Sequence, residues 1–269
     1  MLDEAAFDAG LTDDPDATMA ALAEMTGATD RRLRELAQRL AGRLFVDIAR
    51  RGMAVRGGIG KLVDQPYSPD GGDLDFDASF DAIAAAVAGG IAIDAERLRV
   101  RSWSTPETAL CLLVDRSGSM GGRPLATAAV AAAAVALRSR GSYAVLAFGT
   151  DVVVVKSQNG DKTSEQVVSD LLGLRGHGTT DLAGALRAAG EQLSRTSAAR
   201  RITIVLSDCR ATVAGDVIAA ATSLPEVVVV APAEDCDEAF DFAQRIGARI
   251  ATVDGPSSVV DALASVLER

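Results

Sequence analysis

The stretch Leu110–Met120, LCLLVDRSGSM, limits what this chain can fold into more than any other. An apolar run (Leu110, Cys111, Leu112, Leu113, Val114) stops at Asp115, and Ser117 and Ser119 follow at alternate positions. Gly118, Gly121 and Gly122 loosen the turn, and Pro124 opens a long Ala/Val segment. This spacing predicts a buried strand, a sharp polar loop and a helix with proline in its first turn. One carboxylate and two hydroxyls can then converge beyond the strand's carboxyl end, where open parallel α/β sheets place their ligands.

The rest of the chain alternates strand and helix from Ala109 onward. Strands are expected at Ala109–Val114, Tyr143–Phe148, Val152–Lys156, Ile202–Ser207, Val227–Ala231 and Arg249–Val253. Helices are expected at Leu125–Arg138, Ser164–Leu172, Asp181–Ser194, Val213–Ser223, Asp237–Ile246 and Ser257–Leu267. Only Gly149-Thr150-Asp151 separates the second strand from the third, so that pair reads as a hairpin with an antiparallel edge strand. The fold class that follows is α/β: a doubly wound, six-stranded, mostly parallel sheet with helices on both faces. The segment Leu125–Leu137 has no charge and only Thr127 as a polar residue, so its outer face needs a cover, expected from the N-terminal region.

Two domains are expected, a mainly helical N-terminal region over residues 1–104 and an α/β domain over 105–269, with the boundary near Thr105. Residues 1–30 carry acids and no Lys or Arg, with short helices expected at Leu2–Gly10 and Ala17–Met25 and a turn at Asp13–Asp16. From Arg31 to Arg51 the charge inverts, while Leu33, Leu36, Leu40, Leu44 and Ile48 recur at helical spacing: an amphipathic helix with a basic outer face. Arg56–Lys61, RGGIGK, is not a phosphate loop, because Val55 stands where that pattern needs Gly and Leu62 where it needs Ser or Thr. Asp73, Asp75, Asp77, Ser79 and Asp81 imitate a calcium loop, but Ala78 and Ala84 occupy the positions that require Gly and Glu. They read instead as an extended segment feeding a helix over Ala78–Ala88, capped by Asp75 or Asp77.

Composition narrows the function classes. A formal net charge of -10 argues against general nucleic-acid binding, because phosphates would be repelled. The 3 cysteines are scattered, with neither a disulfide framework nor C-x-x-C zinc spacing, which fits a reducing cytoplasm. The N-terminus is acidic where a signal peptide is basic. The longest apolar helix candidate falls short of the ~20 residues that span a bilayer. A cytoplasmic protein with no membrane partner is expected.

Two further loops should meet the first at the same sheet edge. Gly176-His177-Gly178-Thr179-Thr180-Asp181 precedes a helix, and Ile202–Ser207 is an apolar strand that ends in Asp208. The set Asp115, Ser117, Ser119, Thr180 and Asp208 is oxygen-only and selects a hard cation: Mg²⁺ suits it best, with Mn²⁺ and Ca²⁺ as alternatives. His177, the only histidine, lacks a second soft ligand and reads as part of a Gly-rich turn. Cys111 reads as core. No D-x-D phosphatase element, G-x-S-x-G elbow or G-x-G-x-x-G dinucleotide loop is present at this strand.

This pattern resembles the metal-ion-dependent adhesion site of the von Willebrand factor A (VWA) family, written D-x-S-x-S, then T, then D. The first element is intact as Asp115-Arg116-Ser117-Gly118-Ser119, and the last Asp is Asp208, followed by Cys209 where many relatives have Gly. Thr180 aligns best with the family's Thr, with Thr179 as the alternative. The resemblance implies that the hydroxyls hold a divalent metal and that a partner's Asp or Glu completes its shell, which is binding without turnover. VDRSGSM, GDLDFD ahead of it and the short Arg-rich region are similar to bacterial CoxE-like proteins that work beside MoxR-type AAA+ ATPases. That implies a non-enzymatic adaptor whose partner is such an ATPase or its client. The alternatives are a magnesium- or cobalt-chelatase-like subunit, whose ATPase-like domain this chain is too short to hold, and a metal-dependent hydrolase, for which the loops supply no free base.

Overall fold

The computed structural model describes residues 4–28, 31–54, 61–66, 73–90, 93, 98–104, 108–116, 122–139, 142–174 and 178–267. The chain forms two compact units, one of Met1–Arg56 with Thr108–Arg269, the other of Gly57–Glu107. The N-terminal region expected over 1–104 is therefore divided between them. Thr105 and the RGGIG part of the rejected phosphate loop lie outside the described residues.

The larger unit is built on a six-stranded sheet. Its strands are β4 (Thr108–Asp115), β5 (Tyr143–Phe148), β6 (Val152–Lys156), β7 (Arg200–Leu206), β8 (Val227–Pro232) and β9 (Arg249–Val253), in the order β6-β5-β4-β7-β8-β9. All neighbours run parallel except β5 and β6, the hairpin across Gly149–Asp151, with a register irregularity at Val145/Leu146. Strand order reverses at β4: the chain moves to β5 on one side and returns through β7 on the other. Such a switch point opens a crevice outside the carboxyl ends of the strands.

The two faces of this sheet are covered differently. On one, α7 (Leu182–Leu193), α8 (Val217–Thr222) and α9 (Asp237–Ile246) form a single layer over Cys111, Leu113, Leu146 and Phe148. On the other lie α5 (Gly122–Arg138), α6 (Ser164–Leu172) and α10 (Val259–Leu267). Over α5 sit two more helices, α2 (Pro15–Met25) and α3 (Arg31–Ala54), preceded by α1 (Glu4–Asp13). Leu22 of α2 and Phe45 of α3 are fully buried in the same core as Ala128, Ala132 and Val135 of α5. Each such side chain withdrawn from water contributes roughly 1.5–3 kcal/mol. Residues 1–56 therefore count with the α/β part, because the uncharged stretch Leu125–Leu137 of α5 has apolar surface on all sides and these helices cover what the sheet does not.

Local signals set the helix starts. Asp14 caps α2 through Ala17 N at 3.0 Å, with Pro15 in the first turn, so the expected four-residue turn shrinks to Asp14 alone. Thr163 and Gln166 form a reciprocal capping box on α6. The segment Val213–Asp216 is not helical as expected, because Asp216 caps α8 by accepting from Ala219 N at 2.8 Å. A side chain committed to an N-cap starts the helix one residue later.

The smaller unit, by itself, is a three-stranded antiparallel sheet in the order β1-β3-β2 with one helix, α4 (Phe76–Gly89). Its strands are β1 (Lys61–Pro66), β2 (Asp73–Leu74) and β3 (Arg99–Ser104). Strand β1 and the sheet itself were not expected: K-L-V-D-Q-P has no regular alternation to announce it. Asp75 caps α4 through Ala78 N at 3.1 Å, and the buried Ser79 hydroxyl accepts from Arg99 N at 2.9 Å. The mock calcium ladder is thus a helix cap and a helix-to-sheet contact.

Candidate metal centre

Three segments reach the carboxyl edge of the sheet at the switch point. Asp115 is the last residue of β4, and Ser207–Asp208 follow β7, its immediate neighbour. Thr180 stands two residues before α7. Ser117 and Ser119, the two expected hydroxyl donors of the first loop, lie outside the described residues, as does His177.

The β7 end is locked to the β4 end by a residue the sequence reading did not single out. Ser207 Oγ donates to Asp115 Oδ2 at 2.6 Å and accepts from Cys209 N at 2.9 Å. This bridge turns the chain sharply after Asp208, whose Oδ1 accepts from Arg210 N at 3.0 Å. Cys209 sits at φ 63, the one non-glycine residue with positive φ among those described. An L-residue held there is strained, and such strain gathers at functional sites. The only signal in the sequence was a Cys where the resembling family often has Gly. Burial first, then the Asp208 and Asp115 carboxylates, push the Cys209 thiol above its ordinary range, so both acids act on one buried atom.

The Thr180 loop is held from both sides. Asp181 N donates to Gly149 O at 2.8 Å, and its side chain caps α7 through Gly184 N at 2.8 Å. On the other side Thr180 N donates to Thr212 Oγ1 at 2.8 Å, while Thr180 O accepts from Thr212 N and Val213 N. Thr179 is exposed and its hydroxyl pairs with Thr150 Oγ1 at 3.2 Å. Thr180 is buried, yet no hydrogen bond to its hydroxyl is formed among the described residues. A hydroxyl that no protein group engages is available to a bound ion or water.

Two more contacts brace the first loop. Arg116, inside D-x-S-x-S and buried, pairs with Asp151 of the β5–β6 turn, and its N donates to Phe148 O at 2.7 Å. Gly122, at φ 52, opens α5 where an added Cβ would come 2.9 Å from Glu24 Oε1. Glycine is favoured there by its conformation, while the Glu24 carboxylate can swing aside.

Among the described residues no group of three or more His, Cys, Asp or Glu could hold a metal. A cation at this edge would therefore depend on hydroxyls beside Asp115 and Asp208, and carboxylate with hydroxyl oxygen is a donor set for a hard ion.

A protein-family model described as von Willebrand factor type A domain matches residues 110–211. Over that stretch the chain is similar to VWA domains. The match runs from within β4 through Asp208, so all five expected site residues fall inside it. No curated protein matches the chain. Among solved structures, proximal thread matrix protein 1 of the mussel byssus is 15% identical over 61% of this chain, with a TM-score of 0.48. This chain covers 48% of that protein's length. A von Willebrand factor type A protein from Catenulispora acidiphila is 18% identical over 60% of this chain and 42% of its own, with a TM-score of 0.46. The manganese-loaded TRAP protein of Plasmodium vivax is 17% identical over 58% of this chain and 72% of its own, also with a TM-score of 0.46.

Proposed function

We propose that the VWA-like domain binds a divalent cation through Asp115, Ser117, Ser119, Thr180 and Asp208, and through it a carboxylate of a partner protein. The observation that carries this reading is that Thr180, with no hydrogen bond to its hydroxyl among the described residues, stands on a loop fixed to the same edge as Asp115 and Asp208. Thr179, already paired with Thr150, is the weaker choice of ligand. Mg²⁺ is the cation proposed, with Mn²⁺ and Ca²⁺ as the other hard ions of suitable ligand preference. When bound, it would supply residual positive charge and an exchangeable position for one more oxygen ligand.

The chain's own residues set up that exchange. Ser207 orients the Asp115 carboxylate, Thr212 fixes the Thr180 backbone, and Arg116–Asp151 ties the first loop to the adjacent hairpin. The role is binding, with the partner's Asp or Glu as the incoming group, in a cytoplasmic setting. No helix among the described residues is long and apolar enough to cross a membrane. The sequence similarity to CoxE-like proteins supports a MoxR-type AAA+ ATPase, or that ATPase's client, as the partner.

Affinity capture from native lysate in Mg²⁺, in EDTA and with Ser117→Ala tests the reading. An AAA+ ATPase should be recovered only with metal and an intact site. The same proteins recovered in all three conditions would show that binding does not run through the metal. Phosphatase or peptidase turnover lost in Asp115→Ala would replace the adaptor with an enzyme.

A further inference from the structure

Helix α4 carries an apolar stripe that its own sheet does not use. Phe76, Phe80, Ile83 and Val87 follow at spacings of four, three and four, the pattern of a helix-packing seam. Phe76, Phe80 and Val87 are 69%, 66% and 75% exposed. The side of α4 that meets the sheet is a different one, with Ser79 and Ala86 buried. The stripe is bordered by Asp77 and Asp81, which form no ion pair among the described residues, and α4 has no Lys or Arg.

The complementary surface exists in the same sequence. Helix α3 buries Ala37, Ala41 and Phe45, and turns outward a strip with Leu36, 46% exposed. Beside it lie exposed Arg32, Arg39 and Arg43, none of them in a salt bridge among the described residues. An acidic apolar face and a basic apolar face can pair with each other, whereas two α4 faces would bring Asp77 and Asp81 toward like charges.

We propose that the α4 face of one chain docks on the α3 face of a second copy. A two-fold axis makes this contact twice and closes the assembly. One contact of two aromatic and two aliphatic side chains buries on the order of 800 Å² counting both helices, and the reciprocal pair reaches the roughly 1,600 Å² of a standard interface. The α3 and α4 faces share no residue with the metal centre, so their association should be the same in Mg²⁺ and in EDTA.

Sedimentation equilibrium of the full chain, over concentrations up to about 0.1 mM, tests the proposal. The wild type should show a monomer–dimer equilibrium weakened by salt, and Phe80→Ser should be monomeric. Asp77→Lys with Asp81→Lys should weaken association by about tenfold, as should Arg39→Glu with Arg43→Glu. The four substitutions together should restore it to within about threefold of wild type. Thermal melting of each variant establishes that it is folded. A wild type monomeric throughout, charge reversals without effect, or a four-fold swap that does not recover association would each overturn the pairing.

Discussion

At the amino-terminal edge of the central sheet, the Glu226 carboxylate takes Arg200 Nε at 2.9 Å and Nη2 at 2.7 Å, and pairs with Arg249 as well. At the carboxyl-terminal edge, Asp115 accepts from the neutral Ser207 hydroxyl, and Asp208 accepts from a backbone N–H and acts on the Arg210 guanidinium. The same sheet thus holds an acid between two guanidinium groups at one end, and at the other brings two acids to one edge beside hydroxyl groups. A bidentate guanidinium contact costs little further rearrangement and holds strand starts in place. Two acids with the Ser207 and Thr180 hydroxyls at one edge make up the oxygen donor set proposed above for a hard cation.

That contrast is broken most severely by giving the carboxyl edge a cation of its own. Asp208→Lys should weaken Mg²⁺ binding by about 100-fold, at the upper end of typical outer-shell losses, because it both deletes an acid and adds a like charge. Isothermal titration with Mg²⁺ measures it, and affinity retained would mean that Asp208 faces no metal. The reverse change at the other edge, Glu226→Gln, should cost about 1–2 kcal/mol in urea unfolding, discounted for partial solvent access, while leaving Mg²⁺ affinity unchanged.

The Arg200 hydrogen bond, foremost, holds Glu226 below the usual carboxylate range. Its folded pKa is thus depressed, so its stabilisation is present above the unfolded-chain value and is lost as pH falls through the folded one. The gap between wild type and Glu226→Gln should therefore close below about pH 4. A gap that stays constant through that range would assign the effect to packing.

The sequence disclosed these two edges unequally. Strands β5, β6 and β9 and helices α6 and α9 lie where the periodicity put them, and the switch point follows from the short β5–β6 turn. The positions of Asp115, Thr180 and Asp208, each at a strand end or just before a helix, were legible in the sequence, and their role as metal ligands is the proposal built on those positions. Arg116–Asp151 and Glu226 with its two arginines were not, since partners far apart in sequence meet only through strand order. Ser207 gave no signal beyond adjacency to Asp208, and β1 none at all. Cys209 is the intermediate case: its type reads as core, while its φ of 63 shows a turn position that suits glycine.

That position gives the smallest effect. Cys209→Val should destabilise by about 1 kcal/mol, because a β-branched side chain resists positive φ, and Cys209→Gly should be tolerated with Mg²⁺ affinity intact. Equal stability of the valine variant would remove strain from the description of this turn.

The central claim, that the carboxyl edge is a divalent-cation receptor which the fold leaves for an outside ion, is tested most directly by thermal melting of wild type and Asp115→Ala, each in Mg²⁺ and in EDTA. A ligand at about 100 times its Kd adds about 2.7 kcal/mol to the folded state. The wild-type midpoint should therefore rise in Mg²⁺ and fall back in EDTA, and the Asp115→Ala midpoint should be the same in both. A wild-type midpoint that ignores the metal, matched by the variant, would contradict the claim.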